Sequence, residues 1–399
     1  MGKGAANTAG RAAVMKIALL SWESLHSIAV GGIGTHVTEL GAALERRGHE
    51  VHVFTRMGRG QAHYQLIDGV HYHRCPFEAN RNFVDEVNNM CRSFVHYVYR
   101  AEDCHGAFDV VHVHDWLTAN AMIWVRQERR RRSILTVHST EYGRCGNSFC
   151  AGQSERVRFQ ERAGTYWADR IIAVSRSLKL EMQWMYEVPD WKVSVVYNGV
   201  NAHNYDGWLD PAEVKRKYAI GPVDPTVLFA GRMAYQKAPD LLADAMPFIL
   251  RYHPRAKFVF AGDGEMRGPV ERRVQQLGVS HAARFVGFQA NGSLGDLYKA
   301  CDLVCVPSRN EPFGIVILEA WSAGKPVVST RNGGPEEFVW HNVNGLKVHA
   351  DPDAIAWGIG TMFKDFEWVR WMGRNGRVAA ETAFSWDAIA EQTLGVYES

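Results

Sequence analysis

The segment that most constrains the fold is the first apolar run, because a glycine-rich loop and a helical pattern follow it directly. The run KIALLSW within Met15–Trp22 is continuously apolar, as expected of a parallel strand buried on both faces. A GGIG loop around Gly32 leads into a stretch where apolar residues recur at helical spacing, and this stretch stops at Gly48. A strand at Val51–Phe54 completes a βαβ unit. The chain therefore begins as an α/β protein.

The same alternation of apolar strands and helical stretches continues along the rest of the sequence. The further predicted strands are Asp109–Trp116, Ser133–His138, Arg170–Ser175 and Lys192–Val200, followed by Thr226–Met233, Lys257–Gly264, Ala283–Phe288, Asp302–Ser308 and Pro326–Thr330. Strands that alternate with helices form parallel sheets. Each half of the chain is predicted to be a doubly wound, Rossmann-like domain.

A length of 399 residues fits two domains better than one core. The first is predicted over 15–200 and the second over 226–384, with the polar, proline-containing interval 201–225 as the linker. The last helix, about 385–399, is expected to pack back on the first domain. Residues 1–14 have no apolar core of a signal peptide and are expected to be a disordered lead or a remnant of expression. Ligands are expected between the domains, where the strands end.

Composition excludes several classes of partner. The formal net charge of +2 gives no global attraction to nucleic acid or to an anionic membrane. No apolar run approaches the roughly 20 residues that a membrane span needs. Seven scattered cysteines fit a reducing compartment better than a disulfide framework, so we expect a cytoplasmic protein.

Two predicted loops are suited to bind anions. Gly32 lies between a strand and a helix, where free backbone amides and the helix dipole attract phosphate. The glycine spacing is not that of a dinucleotide fingerprint, and a plain turn is the alternative interpretation. Arg232 and Lys237 follow the first strand of the second domain and could together hold a diphosphate, although they could also be solvated surface charges.

The segment EPFGIVILE, from Glu311 to Glu319, is the most informative one. It places one carboxylate at the mouth of a helix and the other within that helix. A carboxylate at the mouth of a helix that binds anions is costly unless it faces hydroxyl groups or a developing cation, and sugars offer both. The amides of the helix start have no partners within the helix and are expected to donate to ligand oxygens. These amides belong to Phe313, Gly314 and Ile315.

Three other features have competing interpretations. His138 and Asp115 both follow strands of the first domain and are expected at the cleft, although a histidine at a strand end is often structural. The DPD string at Asp351–Asp353 resembles a metal-binding motif, but its place before a helix favours a cap. The arginine-rich run Arg126–Ser133 is predicted to be a solvated loop, with an anionic acceptor or membrane surface as the alternative.

Six motifs together resemble one enzyme family. They are GGIGTHV, HDW, VHST, GRMAYQKAP, NEPFGIVILEA and NGGPEEF. The chain resembles, from about Met15 to its end, the retaining GT-B glycosyltransferases of group 1, which include glycogen synthases and sucrose and sucrose-phosphate synthases. The resemblance implies two Rossmann-like domains facing each other across a deep cleft, with a nucleotide-sugar donor such as a UDP-, ADP- or GDP-hexose.

The resemblance also implies a role for each candidate residue. Gly32 resembles the glycine whose amide meets the diphosphate or the acceptor, and His138 the histidine at the donor sugar. Arg232 and Lys237 resemble the pair on the donor phosphates. Glu311 is implied to lie beside the sugar, with backbone donors from Phe313, Gly314 and Ile315. Glu319 is implied to bind the ribose hydroxyls, and Asp115 to lie on the acceptor side. No metal or other cofactor is expected. The segments SWES and HDWLTANA favour a glucosyl donor and an α-glucan or small-sugar acceptor.

The expected reaction is front-face displacement, since no carboxylate is clearly placed as a nucleophile under the sugar. Two alternatives remain open. One is a nucleotide-sugar epimerase or hydrolase of the same fold, which would need additional acid and base groups. The other is a carbohydrate-binding scaffold without turnover, which the presence of Arg232, Lys237, Glu311 and Glu319 disfavours.

Overall fold

The computed structural model describes residues 13–289 and 291–399, so residues 1–12 of the predicted lead lie outside the described part. The strands of one sheet are β1 (Lys16–Ser21), β2 (Glu50–Arg56), β3 (Tyr64–Ile67), β4 (Val70–Cys75), β5 (Val110–His114), β6 (Arg132–Val137), β7 (Arg170–Ala173) and β8 (Val193–Val195). Those of the other are β9 (Thr226–Ala230), β10 (Lys257–Ala261), β11 (Ala283–Gly287), β12 (Leu303–Val306), β13 (Val327–Thr330) and β14 (Gly345–Val348).

Helices surround both sheets. In the first half they are α1 (Gly32–Arg46), α2 (Phe83–His105), α3 (Asp115–Arg129), α4 (Glu141–Arg144), α5 (Gln153–Trp167) and α6 (Arg176–Tyr186). In the second half they are α7 (Pro211–Lys217), α8 (Pro239–Leu250), α9 (Arg267–Gln276), α10 (Asn291–Ala300), α11 (Ile315–Ser322), α12 (Pro335–Phe338), α13 (Pro352–Met362), α14 (Phe366–Thr382) and α15 (Trp386–Glu398).

The strand orders are those of doubly wound folds. The first sheet runs β3-β4-β2-β1-β5-β6-β7-β8 and the second runs β11-β10-β9-β12-β13-β14. The central strand β1 is flanked by parallel β2 and β5, and its residues Ile17, Ala18, Leu19 and Leu20 are all 0% exposed. Burial on both faces is what the continuous apolar runs require. The prediction of two parallel-sheet α/β domains is confirmed.

The sheet edges depart from the prediction. The hairpin β3–β4 was not predicted, and its two strands are antiparallel around Asp68 and Gly69, whose φ values are 48° and 79°. An Asp-Gly pair with positive φ at both positions is the signal of a two-residue hairpin turn. β14 was also missed, because its sequence GLKV begins with glycine and contains a lysine, so it is not a continuous apolar run.

The interval between the sheets is structured. Within 201–225, α7 begins at Pro211, with the side chain of Asp210 as its N-cap, and packs on α10 of the second domain. The ammonium of Lys215 on this helix lies 3.2 Å from the carboxylate of Asp302. At the other end of the chain, α15 packs on α1 of the first domain, and Arg46 pairs with Asp387 at 2.7 Å.

The arginine-rich run does not form a loop. Residues up to Arg129 belong to α3, and β6 begins at Arg132. The guanidinium of Arg131 donates to the buried carboxylate of Glu102 at 2.7 Å, and Arg129 lies 3.7 Å from the same carboxylate. Arg129 and Arg131 therefore share the single buried carboxylate of Glu102. Asp351 caps α13 by accepting from the amide of Ala354 at 2.8 Å, which confirms the interpretation of the DPD string as a cap.

Candidate active site

The second domain contributes an ion pair at the entrance to α11. Lys237, just after β9, donates to both carboxylate oxygens of Glu311, at 2.7 and 2.8 Å. The hydroxyl of Ser308 donates to the same carboxylate at 2.8 Å. Glu311 is only 4% exposed, so its charge is held in place by these two partners. A fixed carboxylate beside a fixed ammonium can face both a sugar ring and its phosphate leaving group.

Arg232 lies on the same loop as Lys237, and its side chain is exposed. Among the described residues it forms neither an ion pair nor a side-chain hydrogen bond. Its five N–H donors are therefore available to an anion, in contrast to the paired ammonium of Lys237.

The start of α11 presents free amides. Gly314 has a φ of 102°, which turns the chain into the helix, and no side chain caps the first turn. Within the described part of the chain the amides of Phe313, Gly314 and Ile315 donate to no protein group. The Phe313 ring is 2% exposed and packs against Phe338 with centroids 5.0 Å apart, which anchors this turn. Free amides at a helix start form an anion site.

Glu319, one turn further along α11, does not contact the ion pair. Its carboxylate accepts a hydrogen bond from the buried hydroxyl of Tyr298 at 2.7 Å. Burial raises the pKa of Glu319, and the bond from Tyr298 opposes that rise. Tyr298 was not singled out by sequence reasoning, because it lies on a different helix with no motif around it.

The glycine loop of the first domain meets α11 directly. A Cβ atom built on Gly32 would lie 3.0 Å from Cδ1 of Ile315, so any side chain at this position would crowd the helix start. Gly32, Ile315 and the Lys237–Glu311 pair thus line one region between the two domains.

The glycine loop is anchored by a residue that sequence reasoning missed. Glu23 is 4% exposed, and its Oε2 accepts hydrogen bonds from the amides of Val30 and Gly31 at 2.5 and 2.6 Å. These two amides are therefore not available to a phosphate, which narrows the predicted anion site to the first turn of α1 from Gly32 onward.

His138 lies just after β6 and is held by Asp115. Oδ1 of Asp115 accepts from the His138 amide at 2.6 Å, and its Oδ2 lies 4.0 Å from a guanidinium nitrogen of Arg144. Asp115 is 4% exposed and has a φ of 56°, a strained backbone conformation for a residue other than glycine. The carboxylate of Asp115 therefore holds the turn at His138, and the expected place of Asp115 on the acceptor side stays a prediction.

Two further histidines, His36 and His114, lie against the ring of His138. Nδ1 of His114 lies 3.2 Å from Nε2 of His138, and Nδ1 of His36 bonds Oδ1 of Asn198 at 2.8 Å. Nitrogens of these three rings lie within 4.8 Å of one another, a spacing that could also accept a metal ion. Burial lowers the pKa of His138 to about 3 and moves the pKa values of His36 and His114 well below the usual range. The cluster is therefore neutral at physiological pH.

The domains also touch beside the site. The carboxylate of Glu337 on α12 accepts from the amides of Arg176 and Ser177, at 3.0 and 2.9 Å, in the first turn of α6. The hydroxyl of Tyr197 donates to the same group at 3.0 Å. A carboxylate at a helix start is electrostatically favourable. This contact joins the second domain to the first.

Comparisons with known proteins agree with this architecture. The family model Glycosyl transferases group 1 matches residues 210–379, and the model Glycosyltransferase Family 4 matches residues 30–204. An uncharacterized glycosyltransferase of Methanocaldococcus jannaschii is 36% identical, over 96% of this chain and 98% of that protein. The glycogen synthase of Mycobacterium tuberculosis is 28% identical, over 96% of this chain and 94% of that protein.

Solved structures show the same fold. Sucrose-phosphate synthase from Thermosynechococcus elongatus superposes with a TM-score of 0.79 at 23% identity, covering 96% of this chain and 98% of that one. Anabaena HepE in complex with UDP-glucose superposes with a TM-score of 0.77 at 20% identity, covering 96% of this chain and 99% of that one. Among the described residues, no helix is both long and apolar enough to span a bilayer. The chain belongs to the group 1 glycosyltransferases, and its two facing parallel-sheet domains have the GT-B architecture.

Proposed function

We propose that this glycosyltransferase moves a hexosyl group, most simply glucosyl, from a nucleotide-sugar donor to a hydroxyl acceptor with retention of configuration. The observation that carries the proposal is the Lys237–Glu311 pair beside the exposed Arg232. Two cations can hold the donor diphosphate while the adjacent carboxylate faces the sugar. The alternatives of an epimerase, a hydrolase and a scaffold have no comparable group of residues in their favour.

The relatives support a glucosyl donor. One structural neighbour is described as bound to UDP-glucose, and one relative is a glycogen synthase. We therefore propose a UDP-, ADP- or GDP-hexose as donor, with an α-glucan or a small sugar as acceptor, in the cytoplasm. The donor is assigned mainly to the second domain and the acceptor to the first.

The proposed reaction is a front-face displacement. The bond from the sugar C1 to the diphosphate oxygen breaks, and the acceptor oxygen bonds C1 from the same face. The departing diphosphate oxygen takes the acceptor's proton. Arg232, Lys237 and the amides at the α11 start stabilise the charge on the leaving group, and Glu311 faces the positive charge that develops on the sugar. His138 is assigned to the donor sugar, and Glu319 to the ribose hydroxyls.

A panel of nucleotide sugars with candidate acceptors tests the function. We expect release of nucleotide that depends on the acceptor, and a product with retained anomeric configuration by NMR. Glu311→Gln keeps the shape but removes the charge, so turnover should fall about 10²–10³-fold without loss of Tm. Inverted product, an altered donor sugar, or normal turnover in this variant would each contradict the proposal.

Chelation tests whether the phosphates are handled without a metal. Arg232, Lys237 and the helix-start amides are proposed to do this work alone, so turnover should persist in excess EDTA. Complete loss that a single added metal restores would contradict this part of the proposal.

A further inference from the structure

A second group of ionisable side chains lies far from the cleft, at the amino-terminal edge of the first sheet. Glu50 is the first residue of β2 and His52 lies two residues later on the same face. His71 and His73 lie on the neighbouring strand β4, and His105 is the last residue of α2. The strands run from this edge toward the cleft, so the group is separate from the catalytic site. None of these residues has a role in the proposed reaction.

The ligand atoms of three of these residues already lie close together. Nε2 of His52 lies 3.0 Å from Oε1 of Glu50, and each of Glu50, His52 and His105 offers an atom within 4.8 Å of the others. Around a tetrahedral Zn²⁺ with Zn–N bonds of about 2.0–2.1 Å, ligand atoms lie about 3.3 Å apart. His105 is exposed at a helix end and the side chain of Glu50 is 35% exposed, so both can move this small distance.

The buried member of the group is already oriented as a metal ligand would be. His52 is 0% exposed, and its Nδ1 lies 2.9 Å from Nε2 of His73. A histidine that binds a metal through one ring nitrogen characteristically donates from the other to a fixed acceptor, and His73 is placed to be that acceptor. His71 stacks on His52 at 4.2 Å and is itself held by the hydroxyl of Tyr64 at 2.9 Å.

One positive charge faces the group. Nζ of Lys16 lies 3.5 Å from Oε1 of Glu50 and donates to the carbonyl of His105. The ammonium lowers the affinity for a cation, but its bond to His105 also holds the end of α2 against the sheet. Glu50 has two carboxylate oxygens, so one can remain with Lys16 while the other turns to a metal.

We propose that Glu50, His52 and His105 bind one divalent transition-metal ion of the Zn²⁺ type. Two imidazoles and one carboxylate are a ligand set that suits Zn²⁺ better than Mg²⁺ or Ca²⁺. Water completes the coordination on the exposed side. The ion connects the end of α2 to the start of strand β2 and stabilises the first domain without entering the chemistry.

The test uses the full chain, freed of metal with a chelator and then titrated with ZnCl₂ by calorimetry. A parallel titration with Co²⁺ reports coordination through its visible absorption. Wild type is compared with His105→Gln and with His96→Gln, which removes an exposed histidine from the same helix. Both substitutions lie at exposed positions of α2, so neither threatens the fold. Glu50→Gln provides a second variant from within the group.

We expect wild type and His96→Gln to bind one Zn²⁺ and to gain Tm on binding. His105→Gln and Glu50→Gln should bind at least about 10-fold more weakly and lose the Co²⁺ absorption of a tightly coordinated ion. Unchanged Zn²⁺ affinity in His105→Gln would overturn the proposal and point to the histidines near His138. Absence of stoichiometric binding in wild type would also overturn it. Neither outcome bears on the sugar-transfer proposal, because that is tested by nucleotide release with a panel of donors and acceptors.

Discussion

At the scale of single residues, Lys237 faces a carboxylate before any phosphate is bound. Its ammonium contacts both oxygens of Glu311, whereas Arg232 keeps its donors free. An incoming diphosphate would therefore meet Arg232 first and would then compete with Glu311 for Lys237. In the proposed reaction, movement of Lys237 toward phosphate would leave the charge of Glu311 less compensated, so that it would stabilise the sugar more strongly. The pair would thus couple binding of the leaving group to stabilisation of the proposed sugar cation.

Lys237→Ala should weaken donor binding and slow turnover together. The substitution removes a proposed phosphate ligand and, among the described residues, leaves the buried carboxylate of Glu311 with Ser308 as its one side-chain partner. We expect kcat to fall about 10²–10³-fold, as for loss of one charge-stabilising group at a reacting centre. Steady-state kinetics with donor varied measures both effects, and Lys364→Ala, at an exposed lysine of the same domain, is the control. A change in acceptor KM alone would show that the phosphate assignment is wrong.

Glu23→Ala should loosen the glycine loop without removing any group that touches substrate. The amides of Val30 and Gly31 would lose their shared acceptor, and the first turn of α1 would lose its fixed position. We expect kcat/KM to fall by at least about 10-fold, since misplacement by about 1 Å can cost that much. Glu78→Ala, an exposed glutamate of the same domain, should have wild-type kinetics. Equal kinetics in the two variants would argue against an anchoring role for Glu23.

At the scale of elements, helices α12 and α6 carry one of the contacts between the domains beside the site. Helix α12 directs Glu337 into the first turn of α6, where the carboxylate accepts two amide hydrogen bonds. Each partner comes from a different domain, so this contact exists only while the domains are close. It is a candidate for the interaction that favours the closed arrangement.

Glu337→Ala should shift the protein toward a more open arrangement. The first-turn amides of α6 would lose a charged acceptor, and the hydroxyl of Tyr197 would lose its partner. We expect a larger radius of gyration by small-angle scattering and a several-fold higher donor KM. Glu336→Ala is the matched control, because Glu336 is the neighbouring residue but pairs with Lys347 inside the second domain. An unchanged radius of gyration would contradict the role of this contact.

Most strands were predictable from sequence, whereas β3, β4 and β14 were not. Both central strands are continuous apolar runs, so their burial on two faces could be inferred directly. The strand β3 is largely exposed, and its only strong signal was the Asp68-Gly69 turn.

At the site, motifs identified Glu311 and Lys237 but could not show that these two side chains form an ion pair. The anchoring by Glu23 depends on a loop that folds back over seven residues, and no spacing rule indicates it.

At the scale of the whole molecule, buried neutral histidines make stability depend on pH. Burial lowers the pKa of His138 to about 3 and places those of His36, His112 and His114 well below the usual range. An unfolded histidine binds a proton below about pH 6.5, whereas the folded one does not. The free energy of unfolding should therefore fall as pH drops from about 6.5 toward 3, by up to about 1.4 kcal/mol per pH unit for each histidine. Glu161, whose pKa burial raises to about 7, acts in the opposite direction.

Removing one of these histidines should flatten the pH dependence. In His138→Asn, the fall of the urea midpoint between pH 6.5 and pH 5 should be smaller than in wild type, because one fewer imidazole takes up a proton on unfolding. His96→Gln, at an exposed position, should retain the wild-type slope. Identical slopes in wild type and His138→Asn would show that His138 is not held neutral by the fold.

The return of α15 to the first domain has a consequence for how the protein is made. Trp386, Ile389 and Tyr397 pack in the same hydrophobic core as α1 and β1, and the hydroxyl of Tyr397 lies 2.6 Å from Nδ1 of His112. On the ribosome these residues emerge only after the entire second domain. The first domain is synthesised first, but part of its hydrophobic core therefore stays exposed to solvent until α15 has been made. Nascent chains halted before Trp386 should be more susceptible to protease within the first domain than chains extended through Tyr397.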